Sequence, residues 1–358
     1  MVREAYPGFR PFREVAEETL GRLQLASDEI DRVTISGGGD PSCYPAFDDL
    51  VEVLAAIESP LHIGYTSGKG FDDPEVAGRL VENGLTEVSF TVFASDPGLR
   101  KRYMHDPTPE ASLAVVEELA GAIDLYAAAV ILPGVNDGAV LEATADWLEE
   151  AGARGLILMR FANEVRQGLV LGNAPVIPGV EPQDVESFSA LVRETAQGRS
   201  MRVTGTPLLD PALGSPFAIR DEPDLLDRLP RVTGRASVVT GSVAAPFLGG
   251  LLERLGETAQ VAPVKKEIAC LITADDLRDL DLSTLENVVV IPGRALVHDA
   301  EAEAILSSDG RRRTVVRGPD MLTADGETSM GMTREGVLDL EMRGLFELVN
   351  TINLHGGR

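Results

Sequence analysis

The sequence predicts an α/β protein built on parallel sheet, and three observations carry that prediction. Short, nearly continuous apolar runs alternate with amphipathic helical stripes, the pattern of strands covered on both faces. Glycine-rich turns close the first two runs, Ser36-Gly37-Gly38-Gly39-Asp40 and Ser67-Gly68-Lys69-Gly70. The repeat is about 30 residues, the length of one strand, its turn and a crossover helix.

Taken in order, Val33-Thr34-Ile35 is a short strand, followed by a helical stripe at Phe47, Leu50, Val51, Leu54 and Ile57. Leu61–Thr66 is the second strand. Asp73-Pro74 opens the next helix and Asn83-Gly84 stops it. Glu87–Phe93 is rich in β-branched and aromatic residues, and Thr108-Pro109-Glu110 caps a helix with Leu113, Val116 and Leu119 inside. Leu125–Leu132 and Leu156–Phe161 are two more strands, separated by a helix carrying Leu141, Trp147 and Leu148. A helix spanning about 182–197 shows Val185, Phe188, Leu191 and Val192.

Beyond residue 205 the texture changes. Thr206–Pro230, rich in Pro, Gly and Asp, reads as a connector. It leads into a smaller α/β region with strands at Ala236–Thr240, Gln260–Val264 and Val288–Ile291 and a helix near Val243–Leu255. The expected division is 1–205 for the first domain, 206–230 for the connector and 231–358 for the second domain.

Composition limits the partners. Thirty-two basic against 57 acidic residues leave a net charge of −25, which repels nucleic acid and anionic membrane surfaces. No run approaches the roughly 20 apolar residues of a membrane span, and the start has no apolar signal core, so the expected location is the cytoplasm. Two cysteines, Cys43 and Cys270, exclude a disulfide framework or a cysteine-rich zinc site. The four histidines show no metal-ligand spacing.

The chemistry should sit at the C-terminal ends of the strands, where α/β folds place their sites. Gly37, Gly38 and Gly39 let backbone approach a ligand, and Asp40 beside them can grip an ammonium group or cap a helix. Tyr65, Thr66 and Ser67 end the second strand, Ser89 lies in the third, Asn136 follows the fourth, and Arg160 and Asn163 close the fifth. Thr240-Gly241-Ser242 opens a helix, and could hold an anion or simply cap.

In the order and position of these motifs, residues 31–200 resemble the radical S-adenosylmethionine (SAM) superfamily. The strings SGGGDPSCYP, YTSGKG, TEVSFTVFASD, LPGVNDG, LMRFAN, GNAP and VTGTPLLDPALGSPFAI look like the archaeal cobalamin-dependent methyltransferases of the methanogenesis marker family. Those enzymes C-methylate an arginine of methyl-coenzyme M reductase.

The resemblance implies a partial (β/α) radical SAM barrel, SAM and a 4Fe–4S cluster, and cobalamin in or near the C-terminal domain. Its protein partner would be the reductase's alpha subunit. Gly37, Gly38, Gly39, Asp40, Thr66, Ser67, Ser89, Asn136, Arg160 and Asn163 would hold SAM. Tyr65 would take the catalytic place of a tyrosine that ligates the cluster iron until SAM arrives.

The departure is equally plain: the CxxxCxxC cluster motif is not in the chain, and two cysteines cannot supply three thiolates. The barrel is therefore expected to lack its first strand. The reading frame is expected to continue upstream of Met1 by about 40–60 residues, one βα unit and a loop. The chain as given should be inactive. The rival readings are a non-catalytic scaffold or binding protein derived from such a barrel, and a radical SAM enzyme of another specificity.

Overall fold

The computed structural model describes residues 8–25, 30–37, 39–57, 59–170, 172 and 174–357. The chain divides into two compact units, Met1–Met159 with Ala190–Thr204, and Arg160–Ser189 with Gly205–Arg358.

The first unit is built on a six-stranded sheet whose order follows the chain. Helix α1 (Phe12–Leu25) precedes β1 (Val33–Ile35), α2 (Phe47–Ala55), β2 (Leu61–Thr66), α3 (Val76–Glu82) and β3 (Glu87–Thr91). Then come α4 (Pro109–Ala122), β4 (Asp124–Ile131), α5 (Ala139–Ala151), β5 (Gly155–Arg160), α6 (Val185–Ala196) and β6 (Arg202–Thr206). Strands β1 to β4 pair in parallel. A sheet wound in one direction puts its crossover helices on one face, as a barrel wall requires. The chain therefore has an α/β fold carrying parallel sheets, consistent with a partial (β/α) barrel.

The two faces of this sheet differ. Val88 and Phe90 of β3 and Leu125, Ala127 and Ile131 of β4 are buried, as are Val51, Leu54, Leu80, Val115, Val116, Leu119, Leu141 and Leu148 of the helices. The alternate residues Glu87, Ser89, Thr91 and Tyr126 are half-buried and polar. Strand β6 was not expected from the sequence, because Arg202–Thr206 is short and Thr204 and Thr206 interrupt its apolar pattern.

The second unit has a four-stranded sheet ordered β10-β9-β7-β8, all its pairs parallel. Its elements are β7 (Ala236–Thr240), α7 (Ala245–Leu255), β8 (Ala259–Pro263), α8 (Ala274–Arg278), β9 (Val288–Ile291), α9 (Asp299–Leu306), β10 (Thr314–Arg317) and α10 (Arg334–His355). Val238 and Val290 pack with Leu248 and Leu252 of α7 and Leu345, Leu348 and Val349 of α10. Val239, Val289 and Ile291 pack on the opposite face with Leu277 of α8 and Ala302 and Leu306 of α9. The result is a doubly wound, three-layer arrangement. After β8 the chain returns to the other side of β7, so the winding reverses between β7 and β9.

Candidate functional site at the strand ends of the first unit

Asp40 organises the loop after β1. It caps the short 3₁₀ turn Pro41–Cys43 from an extended conformation, with Pro41 at the first position. Its Oδ1 accepts hydrogen bonds from the Ser42 amide (3.1 Å), the Ser42 hydroxyl (2.8 Å) and the Thr66 hydroxyl (2.6 Å). Its Oδ2 accepts from the Ser67 amide at 2.9 Å and from the Ser67 hydroxyl. A carboxylate offers about four lone-pair positions, and five bonds fill them. Burial alone pushes this carboxyl up. The bonds from Ser67, Thr66 and Ser42 together outweigh burial and hold it below the usual carboxylate value.

Three predicted residues, Asp40, Thr66 and Ser67, thus converge, and they bind one another. The flanking glycines leave room. A Cβ added at Gly37 or Gly39 would meet nothing within 4 Å, so no packing inside the protein requires glycine there. Gly38 lies outside the described residues, as does Asn173 of the GNAP string.

Beneath the site lies a pair that sequence reasoning missed. Arg100 and Asp106 are both fully buried and joined at 2.7 Å. Arg100 also donates to the carbonyls of Ser67 (2.7 Å), Val92 (2.6 Å) and Thr91 (3.2 Å), pinning the ends of β2 and β3. Burial draws the Arg100 guanidinium below its ordinary value, against the opposing effect of Asp106. Nothing in the run Arg100-Lys101-Arg102 marks the first cation as the buried one. The π-helical turn Arg100–Met104 that aims it is a tertiary feature.

Tyr65 is half-buried and sits at a positive φ of 44°, beside an irregularity in the β2–β3 register between Ile63 and Thr66. A bulky residue in the left-handed region is strained, and such strain gathers at functional positions. Ser89 lies on the half-exposed face, its hydroxyl 3.0 Å from His62 Nε2, while His62 Nδ1 is 3.3 Å from the Thr34 hydroxyl. Burial pushes His62 below its usual value, against the opposing effect of Glu87. Asn136 is buried, accepts from the Leu132 amide (2.7 Å) and donates to the carbonyls of Phe93 and Val130 (both 2.8 Å), which fastens the turn after β4.

Arg160 and Asn163 belong to the second unit. The Arg160 side chain is buried, pairs with Glu267 at 2.5 Å and donates to the Gln183 carbonyl at 2.8 Å. Asn163 donates to the carbonyls of Ile177 (2.8 Å) and Val180 (2.7 Å) and accepts from the Ile177 amide (2.9 Å), bracing its loop.

A parallel sheet with clustered polar groups at its strand ends defines the first unit as an α/β domain of the barrel-wall type. Residues 3–148 match the family model of the Radical SAM superfamily. The crystal structure of SuiB from Streptococcus suis is 15% identical over 51% of this chain and 39% of that one, with a TM-score of 0.40. A radical SAM methyltransferase from Sphaerobacter thermophilus is 18% identical over 51% and 54%, with a TM-score of 0.34. A domain of pyruvate-formate lyase-activating enzyme from Bacteroides vulgatus is 15% identical over 46% of this chain and 90% of that domain, with a TM-score of 0.34. The chain thus spans less than two thirds of the first two. No protein of curated function matches it.

The radical SAM family implies SAM and a 4Fe–4S cluster. The cluster's donor set does not fit this chain. Cys43 and Cys270 lie in different units, and partial burial pushes both thiols up, away from the thiolate that binds iron. Among the described residues no three His, Cys, Asp or Glu side chains gather as a metal site. The Asp40 carboxylate, its lone pairs engaged, has none left for an ammonium group. The open flank of Gly37 and Gly39 is the part of the loop that suits a ligand. No helix among the described residues is long and apolar enough to cross a membrane.

Proposed function

We propose that this chain is the SAM-binding and substrate-binding portion of a radical SAM enzyme, inert by itself because the cluster thiolates are not in it. The finer reading is a cobalamin-dependent C-methyltransferase acting in the cytoplasm on an arginine of the methyl-coenzyme M reductase alpha subunit. That reading rests on the resemblance of the strand-end strings. The carrying observation is the radical SAM match over residues 3–148, together with a strand-end loop whose glycine flank is open. In this reading Gly37, Gly38 and Gly39 admit the ligand, Asp40 holds the loop shut on Thr66 and Ser67, and Tyr65 and Ser89 line the approach. Asn136, its side chain engaged by Leu132, Phe93 and Val130, fixes the turn after β4 rather than meeting the ligand.

The test is calorimetric. SAM should bind the purified chain, and Gly39→Leu, which fills the open flank, should abolish binding while leaving the melting temperature unchanged. Anaerobic treatment with iron and sulfide should give no cluster absorbance, and adding SAM should give no 5′-deoxyadenosine. Absence of SAM binding would remove the ligand reading of this loop and favour a scaffold that keeps the barrel wall. Stoichiometric iron with 5′-deoxyadenosine would show that the ligand set lies elsewhere in the chain.

A further inference from the structure

The second unit holds a cavity of its own. It is a partly open cavity of about 300 Å³ at the C-terminal ends of β7, β9 and β10. It therefore lies where the winding reverses between β7 and β9, the crevice in which open α/β sheets bind ligands. Its volume is at the lower end of the range for small-molecule sites. Val238, Val239, Leu248, Val290, Ile291 and Leu348 make its walls apolar.

Two features show that the cavity is more than a packing gap. Thr240, the last residue of β7, is only 2% exposed and lines the cavity. Its hydroxyl has no hydrogen-bond partner among the described residues. It does not cap the helix that follows, since α7 begins after Ala244, which offers no side-chain cap. The hydroxyl is not one of the fully enclosed unpaired atoms, so it opens onto the cavity and is free to pair with an occupant.

Phe217, on the cavity wall, is held in the left-handed region at a φ of 61°. The Thr323 hydroxyl accepts from its amide at 2.8 Å, and buried Glu341 accepts from the next two amides at 3.1 and 2.9 Å. Its ring stacks on Phe247 at 4.3 Å. A strained aromatic, fixed from below by a buried carboxylate, shapes the wall in advance.

The charges select against an ionic occupant. Glu267 is neutralised by Arg160 and Arg166. Asp325 accepts from the Thr206 hydroxyl and the Thr328 amide. Arg294 and Asp320, both exposed, remain as one cation and one anion.

We propose that this cavity binds an uncharged, mainly apolar organic molecule through one hydrogen-bonding group that pairs with Thr240. The site is independent of SAM and of the first unit's loop.

The test uses the full chain and four ring compounds of matched shape: benzyl alcohol, toluene, benzoate and benzylamine, followed by ligand-observed NMR and thermal shift. Benzyl alcohol should bind best, about three- to tenfold more tightly than toluene, the value of one neutral hydrogen bond. Benzoate and benzylamine should bind more weakly than toluene. Thr240→Val should hold or raise the melting temperature and equalise benzyl alcohol with toluene. Val290→Phe, which fills the cavity, should exclude both. Several outcomes would overturn the proposal: equal binding of alcohol and hydrocarbon to the parent, a preference for benzoate that Arg294→Gln removes, or no binding of any of the four. A several-degree loss of melting temperature in Thr240→Val would overturn it too, by showing the hydroxyl already paired. Displacement of benzyl alcohol by hydroxocobalamin would assign the cavity to the corrin instead.

Discussion

At the scale of single residues, Asp40 shows how one carboxylate can close a site rather than open it. Asp40→Asn keeps the shape but turns an NH2 group toward donors of Ser67 or Ser42, which are then left unpaired. The expected loss is about 1–3 kcal/mol, or about 2–12 °C in melting temperature for a unit of this size. The pH dependence follows from the depressed carboxyl. A carboxyl held below its unfolded value stabilises fully above about pH 4 and loses that contribution as pH falls through the folded value. The gap between parent and Asp40→Asn in urea midpoints should therefore be constant from about pH 7 to 5 and shrink below about pH 4. A gap that widens on acidification would contradict the geometry.

At the scale of elements, the turn after β2 separates glycines kept for folding from glycines kept for approach. Gly68 has a φ of +72°, and a Cβ there would lie 2.4 Å from the Phe90 ring. Gly68→Ala must adopt a left-handed conformation, worth roughly 1–2 kcal/mol, and displace a core aromatic, worth about 1–3 kcal/mol more. Gly37→Ala meets nothing and has an ordinary φ, so its urea midpoint should equal the parent's. Similar losses in the two variants would mean that the loop after β1 is packed as tightly as the turn after β2. The element boundaries read from sequence were good where apolar periodicity was strong, as for β2, β4, β7 and β9. They failed where it was weak. β10 (Thr314–Arg317) is only half-buried, and α10 (Arg334–His355) buries Leu345, Leu348 and Ile352 but leaves Phe346 and Leu354 exposed among charged residues, which blurs its apolar stripe.

At the scale of the whole molecule, the net charge of −25 sets the response to salt. The acidic excess repels itself in the folded state, while most of the ion pairs are surface pairs such as Arg154–Asp124, which contribute little. Raising salt from about 0.01 M to 1 M shortens the screening length from roughly 30 to 3 Å. The melting temperature should rise over that range in scanning calorimetry. A fall would mean that the ion pairs outweigh the repulsion.

The sequence by itself determined the class of fold and which polar residues fall at the strand ends. Alternating apolar runs of strand length demand parallel sheet with helical crossovers, and polar residues just past such runs fall at strand C-termini. Asp40, Thr66 and Ser67 were legible for that reason, since backbone periodicity places them. What the tertiary structure decided was which donors each of them meets. Asp40 is saturated by Ser42 beside it together with Thr66 and Ser67, 26 and 27 residues away. Arg100 is buried because three carbonyls and Asp106 surround it. The cavity beside Thr240 exists because β9 returns to the far side of β7. Hydrogen-bond partners and enclosed volume depend on strand order and long-range approach, which local periodicity does not encode.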